Sequence, residues 1–390
     1  MSVDTAPRFK FGKNWQSYLT KHFSEDKLAI SQRWLLDFLK RESLEGLRVI
    51  DIGSGSGIHS CAAWRAGAAQ VFSFDYDEDS VAATRLVREQ AGSPANWTVA
   101  QGSILDDDYI GSLGTFDLVY SWGVLHHTGD QWKAIRNAMS LMGADAEAYI
   151  ALYDSDMFLK PGPDYWLDIK KTYNRSSEFI KRRMELEYIW KTLMGGKLSN
   201  FGKLVRMDRE YKKDRGMSLM VDIRDWLGGW PMEFSSMGDV LDLCEKEFGA
   251  SLVNVSTGQA NTEYLFARGN RIPAEGALGN AIVVPKSVRD LPTDRPVYLY
   301  GMGVLGDLLK VEIDRHPEIQ IGGYIDRRRT GNIDGKAIMT PEEMFATVDR
   351  NAPVLVTSMA FGDIAKMLWQ NGFTSIHNTY PIMVNYYRTT

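Results

Sequence analysis

The amino-acid sequence predicts an α/β fold made of two parallel-sheet units, and three observations carry that prediction. Two glycine-rich turns lie far apart, DIGSGSG from Asp51 to Gly57 and GMGVLG from Gly301 to Gly306. Each follows a short apolar run, Leu47–Ile52 and Val297–Tyr300, where a buried strand would hand over to a helix. After each turn, apolar runs alternate with helical patterns, as a parallel sheet covered by helices requires.

Composition sets the outer bounds. The 390 residues carry 45 Lys and Arg against 50 Asp and Glu, a net charge of −5, which argues against bulk nucleic-acid binding. An apolar share of 44% with 24% charged residues is globular and excludes disorder as the main state. No stretch approaches the roughly 20 apolar residues of a membrane helix. The start, MSVDTAPRFKFGKNW, lacks the apolar core of a signal peptide. Cys61 and Cys244 alone make neither a disulfide framework nor a four-thiolate zinc site. A soluble, cytoplasmic protein is expected.

Along the first unit, Gln70–Phe74, Trp97–Ala100, Phe116–Ser121 and Ala146–Leu152 read as strands. Ser80–Gln90 and Asp130–Met142 read as helices, each opening near an Asp that suits an N-terminus. From Asp156 to about Glu233 the rhythm breaks into a mostly helical insertion rich in Trp, Tyr, Met and basic residues. A helix returns at Ser236–Phe248, capped by Gly249, and Ser251–Ser256 with Glu263–Arg268 read as a closing antiparallel hairpin. Residues 269–295, rich in Pro and Gly, read as a linker with one short strand at Ala281–Val284. The alternation restarts with strands Val297–Tyr300, Ile319–Ile325 and Val354–Thr357, and helices Val304–Arg315, Pro341–Val348 and Phe361–Asn371.

A glycine turn alone does not name its ligand, since backbone amides brought close by glycine serve many nucleotides. Three features lean away from a dinucleotide. Asp51 places a carboxylate where a pyrophosphate would otherwise lie, which repels phosphate and attracts a ligand ammonium. Asp75 ends the second strand in FSFDYDED, where doubly wound folds bind ribose hydroxyls. The fourth strand ends in YSWGVLHHTGD, putting His126 and His127 at the carboxyl edge of the sheet.

On VIDIGSGSG, FSFDYDED and FDLVYSWGVLHH, the chain resembles the class I S-adenosylmethionine-dependent methyltransferases over about Phe9 to Arg268. The resemblance implies a Rossmann-like seven-stranded sheet whose last strand is antiparallel. It implies that Asp51, Gly53, Ser54, Gly55 and Gly57 border the methionine part of S-adenosyl-L-methionine, that Asp75 binds its ribose, and that Tyr76 packs on its adenine. Ser103 stands where the family often has an Asp reaching the adenine amine; Ile104 and Trp122 complete the expected cofactor set, and S-adenosyl-L-homocysteine would be the product. Phe11–Trp15, FGKNW, resembles N-terminal segments that close over the cofactor, with Lys13 or Trp15 facing it or anchoring the sheet edge.

Methyl transfer to a sugar hydroxyl benefits from a base poised near neutrality, which histidine supplies. By resemblance to enzymes with a similar LHH ending, His126 is favoured as base, with His127 supporting and Asp154 orienting the imidazole. The pair also reads as a polar cap on the helix entrance. His59 reads as a helix-start residue. No metal is expected, because only Asp154 and Asp156 converge as carboxylates on the strand ends.

The insertion holds the acceptor candidates. RGMSLMVDIRDWLGGWPMEF, Arg215 to Phe234, mixes a flat aromatic with carboxylates and Arg, a set suited to carbohydrate, and resembles a stretch in methyltransferases of bacterial surface-glycan pathways. Arg215, Asp222, Asp225, Trp226 and Glu233 are the candidates, with Asn261 and Glu263 near by. The basic runs Lys181–Arg183 and Tyr211–Arg215 read as solvated helix faces rather than an RNA surface.

Gly301, Gly303 and Gly306, with Asp326 at about the spacing of a ribose-binding acid, mark a second small Rossmann-like unit. It resembles the nucleotide-binding domain of bacterial sugar acyltransferases, which implies a nucleotide sugar as ligand; docking or homodimerisation is the other reading. Residues 296–390 leave no room for a dehydrogenase's substrate domain. The expected organisation is a methyltransferase domain at 1–268 with a helical acceptor or lid insertion at about 156–234, a linker at 269–295, and the second unit at 296–390. The expected function is methyl transfer to a hydroxyl of a sugar, nucleotide-linked or in a bacterial surface glycan. The alternatives are a secondary metabolite or tRNA base as acceptor, or a nucleotide-sugar-binding scaffold with an inactive methyltransferase domain.

Overall fold

The computed structural model describes Pro7, Phe9, Gly12 and residues 24–158, 161–214, 219–258 and 260–389. Helix α1, Glu25–Leu39, starts where Ser24 accepts from the Lys27 amide, and Lys40 ends it in the left-handed conformation. There follow β1 Arg48–Ile52, α2 Ile58–Arg65, β2 Gln70–Asp75, α3 Glu78–Gln90, β3 Trp97–Gln101, α4 Asp107–Ser112, β4 Phe116–Trp122, α5 Gln131–Ser140 and β5 Met142–Tyr153. The insertion is α6 Pro163–Arg175, α7 Glu178–Tyr188 running into a π turn at Ile189–Leu193, α8 Phe201–Asp214 and α9 Leu219–Gly228. Helix α10, Met237–Phe248, then leads into β6 Ser251–Thr257 and β7 Asn261–Ala267.

The strands lie in the order β3-β2-β1-β4-β5-β7-β6, with β7 antiparallel to both neighbours. The sequence predicts this arrangement because the central strands are apolar on both faces: Val49, Ile50, Ile52, Leu118 and Val119 are all buried. Each such side chain contributes about 1.5–3 kcal/mol relative to exposure. Parallel register places Ile52 beside Phe74, Asp75 beside Gln101, and Asp51 beside Tyr120. The polar strand ends therefore line up along one edge.

The second sheet runs β11-β12-β10-β9-β13-β14-β8. Its strands are β8 Ile282–Val283, β9 Val297–Tyr300, β10 Ile321–Ile325, β11 Asn332–Ile333, β12 Lys336–Met339, β13 Val354–Val356 and β14 Ile376–Asn378. The accompanying helices are α11 Val304–Ile313, α12 Pro341–Thr347, α13 Phe361–Gln370 and α14 Tyr380–Thr389. Segment 269–295 does more than connect. It supplies β8 and buries Val288 and Leu291 in the second core, beside Val297, Leu299 and Tyr324. The β11–β12 hairpin turns on Asp334 and Gly335, both at positive φ, the Asp-Gly signature of a two-residue turn.

By compactness the chain falls into two units, Met1–Gly143 with Pro163–Glu233, and Ala144–Gly162 with Phe234–Thr390. No helix among the described residues is long and apolar enough to cross a membrane.

Candidate active site

In the first unit the chain leaves β1 through Gly53, Gly55 and Gly57, all at positive φ. A Cβ on Gly53 would stand 2.3 Å from a Val124 methyl, and one on Gly57 2.8 Å from the Thr84 Cα. Glycine is required here by conformation and by space. The Gly53 and Ser54 amides donate to the Phe74 carbonyl, and the Ser54 and Thr84 hydroxyls share a hydrogen bond of 2.9 Å.

Asp51 is buried at the root of this turn and accepts from the Ser60 hydroxyl. Ser60 accepts in turn from Ser73 at 2.8 Å, and Ser73 from the Trp97 indole N–H at 2.8 Å. Burial pushes the Asp51 carboxyl up to about 7, against the Ser60 bond and helped by the nearby Asp75. Asp75 accepts the Gly55 amide at 3.0 Å on one oxygen and the Asp77 amide at 2.9 Å on the other. Burial raises it to about 6, although those amides oppose the rise. Burial thus makes both carboxylates of the turn costlier to ionise than in water, a cost that a cationic or hydroxyl-rich partner would offset.

The other expected cofactor residues stand at or after the ends of neighbouring strands, Tyr76 after β2, Ser103 and Ile104 after β3 and Trp122 at the end of β4. Tyr76, 62% exposed, follows Asp75, and its carbonyl accepts from Gln101. The Ser103 hydroxyl accepts from the Leu105 amide at 3.2 Å, so it already closes its own turn, and Ile104 is buried with its carbonyl on Asn137. The Trp122 ring meets Trp34 edge-on, Trp34 meets His59, and His59 stacks on Tyr120 at 5.4 Å. Burial lowers His59 to about 4. Asp77 caps α3 through the Asp79 amide, as its position suggests, and also receives the Gly12 amide at 3.1 Å. The rest of Phe11–Trp15, with Lys13 and Trp15, lies outside the described residues.

The histidine pair forms the short turn Leu125–His127 after β4. The rings are 4.5 Å apart. His126 is fully buried, and burial, then His127 and Lys170, hold its pKa well below 6.5, so its imidazole is neutral at physiological pH. His127 is half-buried, with Nδ1 2.7 Å from the Pro231 carbonyl. A neutral ring must donate there, which leaves its basic lone pair on Nε2.

Of the acceptor candidates, Asp222, Asp225 and Trp226 lie on α9. Trp226 packs edge-on against Trp166 at 5.0 Å, and the charge of Asp222 bears on Tyr188. Glu233 accepts the Gln131 amide at 2.9 Å at the head of α5, and burial raises its pKa. Arg215 lies outside the described residues. The sequence reading missed Ser60, Ser73, Trp97, Trp34 and, most of all, the buried Lys170. A serine inside the apolar strand VFSFD was a signal for the first network; Lys170, in the pair Lys170–Lys171 of an amphipathic helix, gave none.

In the second unit, Asp154 accepts the Asp156 amide at 2.9 Å and the Thr262 hydroxyl at 2.6 Å, while Glu263 accepts from Tyr149. The second glycine turn has Gly301 at positive φ, and a Cβ on Gly306 would stand 2.2 Å from the Gly301 oxygen. Gly303 sits in extended backbone just before α11. Asp326 takes the Met302 amide at 2.9 Å on one oxygen, and the Arg328 and Arg329 amides at 2.7 and 2.9 Å on the other. Burial would raise its pKa, but those amides and the Arg329 charge hold it below the usual carboxylate value. Arg329 itself bonds Met302 O and Asp307.

Among known proteins, residues 43–195 match the family model described as "Methyltransferase domain". A tRNA U34 carboxymethyltransferase of Methylococcus capsulatus is 38% identical over 84 residues, 22% of this chain and 25% of the relative. Another, of Idiomarina loihiensis, is 28% identical over 129 residues, 32% of this chain and 39% of the relative. The chain thus spans well under half the length of the curated relatives it matches. Solved structures matched include magnesium protoporphyrin IX methyltransferase from Synechocystis with bound SAH, at TM-score 0.39 and 14% identity over 66% of this chain and 94% of that one. Another is the N-terminal domain of EvdMO1 with SAH and D-fucose, at 0.38 and 12% over 67% and 96%. Strand order and family match give this chain a class I S-adenosylmethionine-dependent methyltransferase fold, followed by a second α/β domain.

Proposed function

We propose that the chain is an S-adenosylmethionine-dependent methyltransferase whose acceptor is a hydroxyl of a sugar. One observation carries the cofactor reading: Asp51 and Asp75 flank a three-glycine turn at the polar edge of the parallel strands, each raised in pKa and each within reach of that turn. A ligand with an ammonium for Asp51, ribose hydroxyls for Asp75 and a flat base for Tyr76 satisfies all three. Bound there, S-adenosylmethionine supplies a sulfonium methyl for in-line displacement.

The chain's own part is to orient the acceptor and take its proton. The acceptor's hydroxyl proton would pass to an imidazole nitrogen of this chain. His126, neutral by burial, is our choice for that base, and His127, oriented by the Pro231 carbonyl, is its support. Asp222, Asp225, Trp226 and Glu233 are proposed to border the acceptor.

A second reading, transfer to a tRNA base, is favoured by the names of the two curated relatives. We divide the chain into a methyltransferase domain at 1–268 and a second Rossmann-like domain at 296–390, to whose sheet and core the segment 269–295 adds β8, Val288 and Leu291. For that domain, the fully bonded Asp326 supports a docking or dimerisation role over nucleotide-sugar binding. The test is release of S-adenosylhomocysteine on adding sugar acceptors or tRNA. With the productive acceptor, His126→Ala is expected to keep cofactor affinity and lose turnover; retained turnover would remove His126 as the base.

A further inference from the structure

Lys170 is a cation of the insertion to which the methyl-transfer reading gives no task. Its side chain is 1% exposed. The ammonium donates to the Trp226 carbonyl and sits 4.3 Å from the centroid of the Trp226 ring. No carboxylate among the described residues lies within ion-pair distance of it; Asp225 acts on it only as a charge farther off. An ammonium has three N–H donors, so one carbonyl and one ring face leave it short of acceptors in a place water does not reach. Charge buried in that way is strongly unfavourable unless an anion joins it or the proton leaves.

The position is held firmly. Asn174, one turn along α6, donates to Lys170 O at 2.9 Å and to Gly228 O at 2.6 Å, tying this stretch of helix to the end of α9. The neighbouring Lys171 lies over the Trp230 ring at 5.0 Å. The ammonium is also close enough to His126 for its charge to favour the neutral imidazole. The titratable groups coupled to it by charge are Asp225 on α9 and His126 on the turn after β4.

We propose that Lys170 receives an anionic group of the acceptor: the molecule that loses its proton to the histidine pair also carries a carboxylate or phosphate that ion-pairs with this ammonium. The inference rests on the methyl-transfer reading for the identity of the site and narrows it to acidic acceptors. Burial, opposed by Asp225, brings the lysine down to about 7. Binding of an anion needs the protonated form, so affinity falls as pH rises past that value.

The experiment uses the full chain saturated with S-adenosylhomocysteine, probed by thermal shift and calorimetry with matched pairs, glucuronate against glucose and uridine monophosphate against uridine. An acid is expected to raise the midpoint where its neutral twin does not, and which acid responds separates a sugar carboxylate from a nucleotide phosphate. Lys170→Met should weaken that acid by at least about tenfold, the loss of one charge-assisted bond, while Lys170→Arg retains part of it. Lys170→Met should also raise the midpoint without acid, since it relieves a buried charge. A lysine that only holds the fold gives the reverse, a lowered midpoint rescued by Arg, and that result overturns the proposal. So does acid binding unchanged in Lys170→Met, or no response to either acid. Homocysteine-product binding is read in the same samples; its absence would remove the methyl-transfer reading, whereas acid binding alone decides Lys170.

Discussion

The two glycine turns share a plan and differ in how much of it the chain has already filled. In each, the acid that ends the following strand accepts a backbone amide from inside the turn, Gly55 to Asp75 at 3.0 Å and Met302 to Asp326 at 2.9 Å. At the second turn, two more amides and Arg329 complete the carboxylate, and its pKa is lowered. At the first, Asp75 rises to about 6 and Asp51 behind it to about 7. The strand before the second turn ends in Leu299 and Tyr300, with no acid. A turn whose acids are held short of charge stability has something for a ligand to relieve; a turn satisfied by its own amides does not. The glycine pattern is common to both, so the state of the acid, not the motif, separates a ligand site from a structural turn.

The sharpest way to break this contrast is a methyl group in each turn. Gly53→Ala combines positive φ with overlap on Val124, and is expected to cost about 2–4 kcal/mol of stability and to abolish S-adenosylhomocysteine binding. Gly306→Ala should destabilise comparably, through overlap with the Gly301 oxygen, yet leave that affinity intact. Thermal melts and calorimetry on both variants decide. Next in size, Asp75→Asn should weaken the cofactor product by about 10–100-fold, the value of hydrogen bonds to a charged acceptor, with the melt little changed.

The acids of the two turns should also respond to pH with opposite signs. The folded pKa values of Asp51 and Asp75 are raised, so the stability they contribute is full below about 3.8 and is lost as pH rises through about 6 to 7. Asp51→Asn should therefore raise the ligand-free midpoint at pH 8 and flatten its decline from pH 5. Asp326 is lowered, so its contribution is full above the usual carboxylate value and lost on acidification through its folded pKa. Asp326→Asn should lower the midpoint at neutral pH, with the difference closing in acid. The smallest effect is expected from Trp97→Phe. Losing the indole bond to Ser73 should cost about 1 kcal/mol and shift the Asp51 titration slightly upward.

Much of the architecture was legible because buried parallel strands announce themselves as apolar runs, and Arg48–Ile52, Gln70–Asp75 and Val297–Tyr300 formed within a residue or two of expectation. The β11–β12 hairpin was passed over although its Asp-Gly pair is a turn signal, because strands of two and four residues are too short for periodicity to register. Segment 269–295 was read from its Pro and Gly, while Val288 and Leu291 reach the core as single residues between them. At the site, Asp51, Asp75 and the histidine pair stood at predictable strand ends. What holds them did not: Ser60, Ser73 and Trp97 come from three separate elements, and only pairing in space makes them one chain of hydrogen bonds. Lys170 is hidden for the same reason, since its surroundings are built with α9.

The most direct test of the account is calorimetric titration of S-adenosylmethionine into the full chain and into Asp75→Ala and Asp326→Ala. The account predicts one site in the parent chain, lost in Asp75→Ala and unchanged in Asp326→Ala. Binding that survives Asp75→Ala, or that disappears with Asp326→Ala while the protein stays folded, would contradict it.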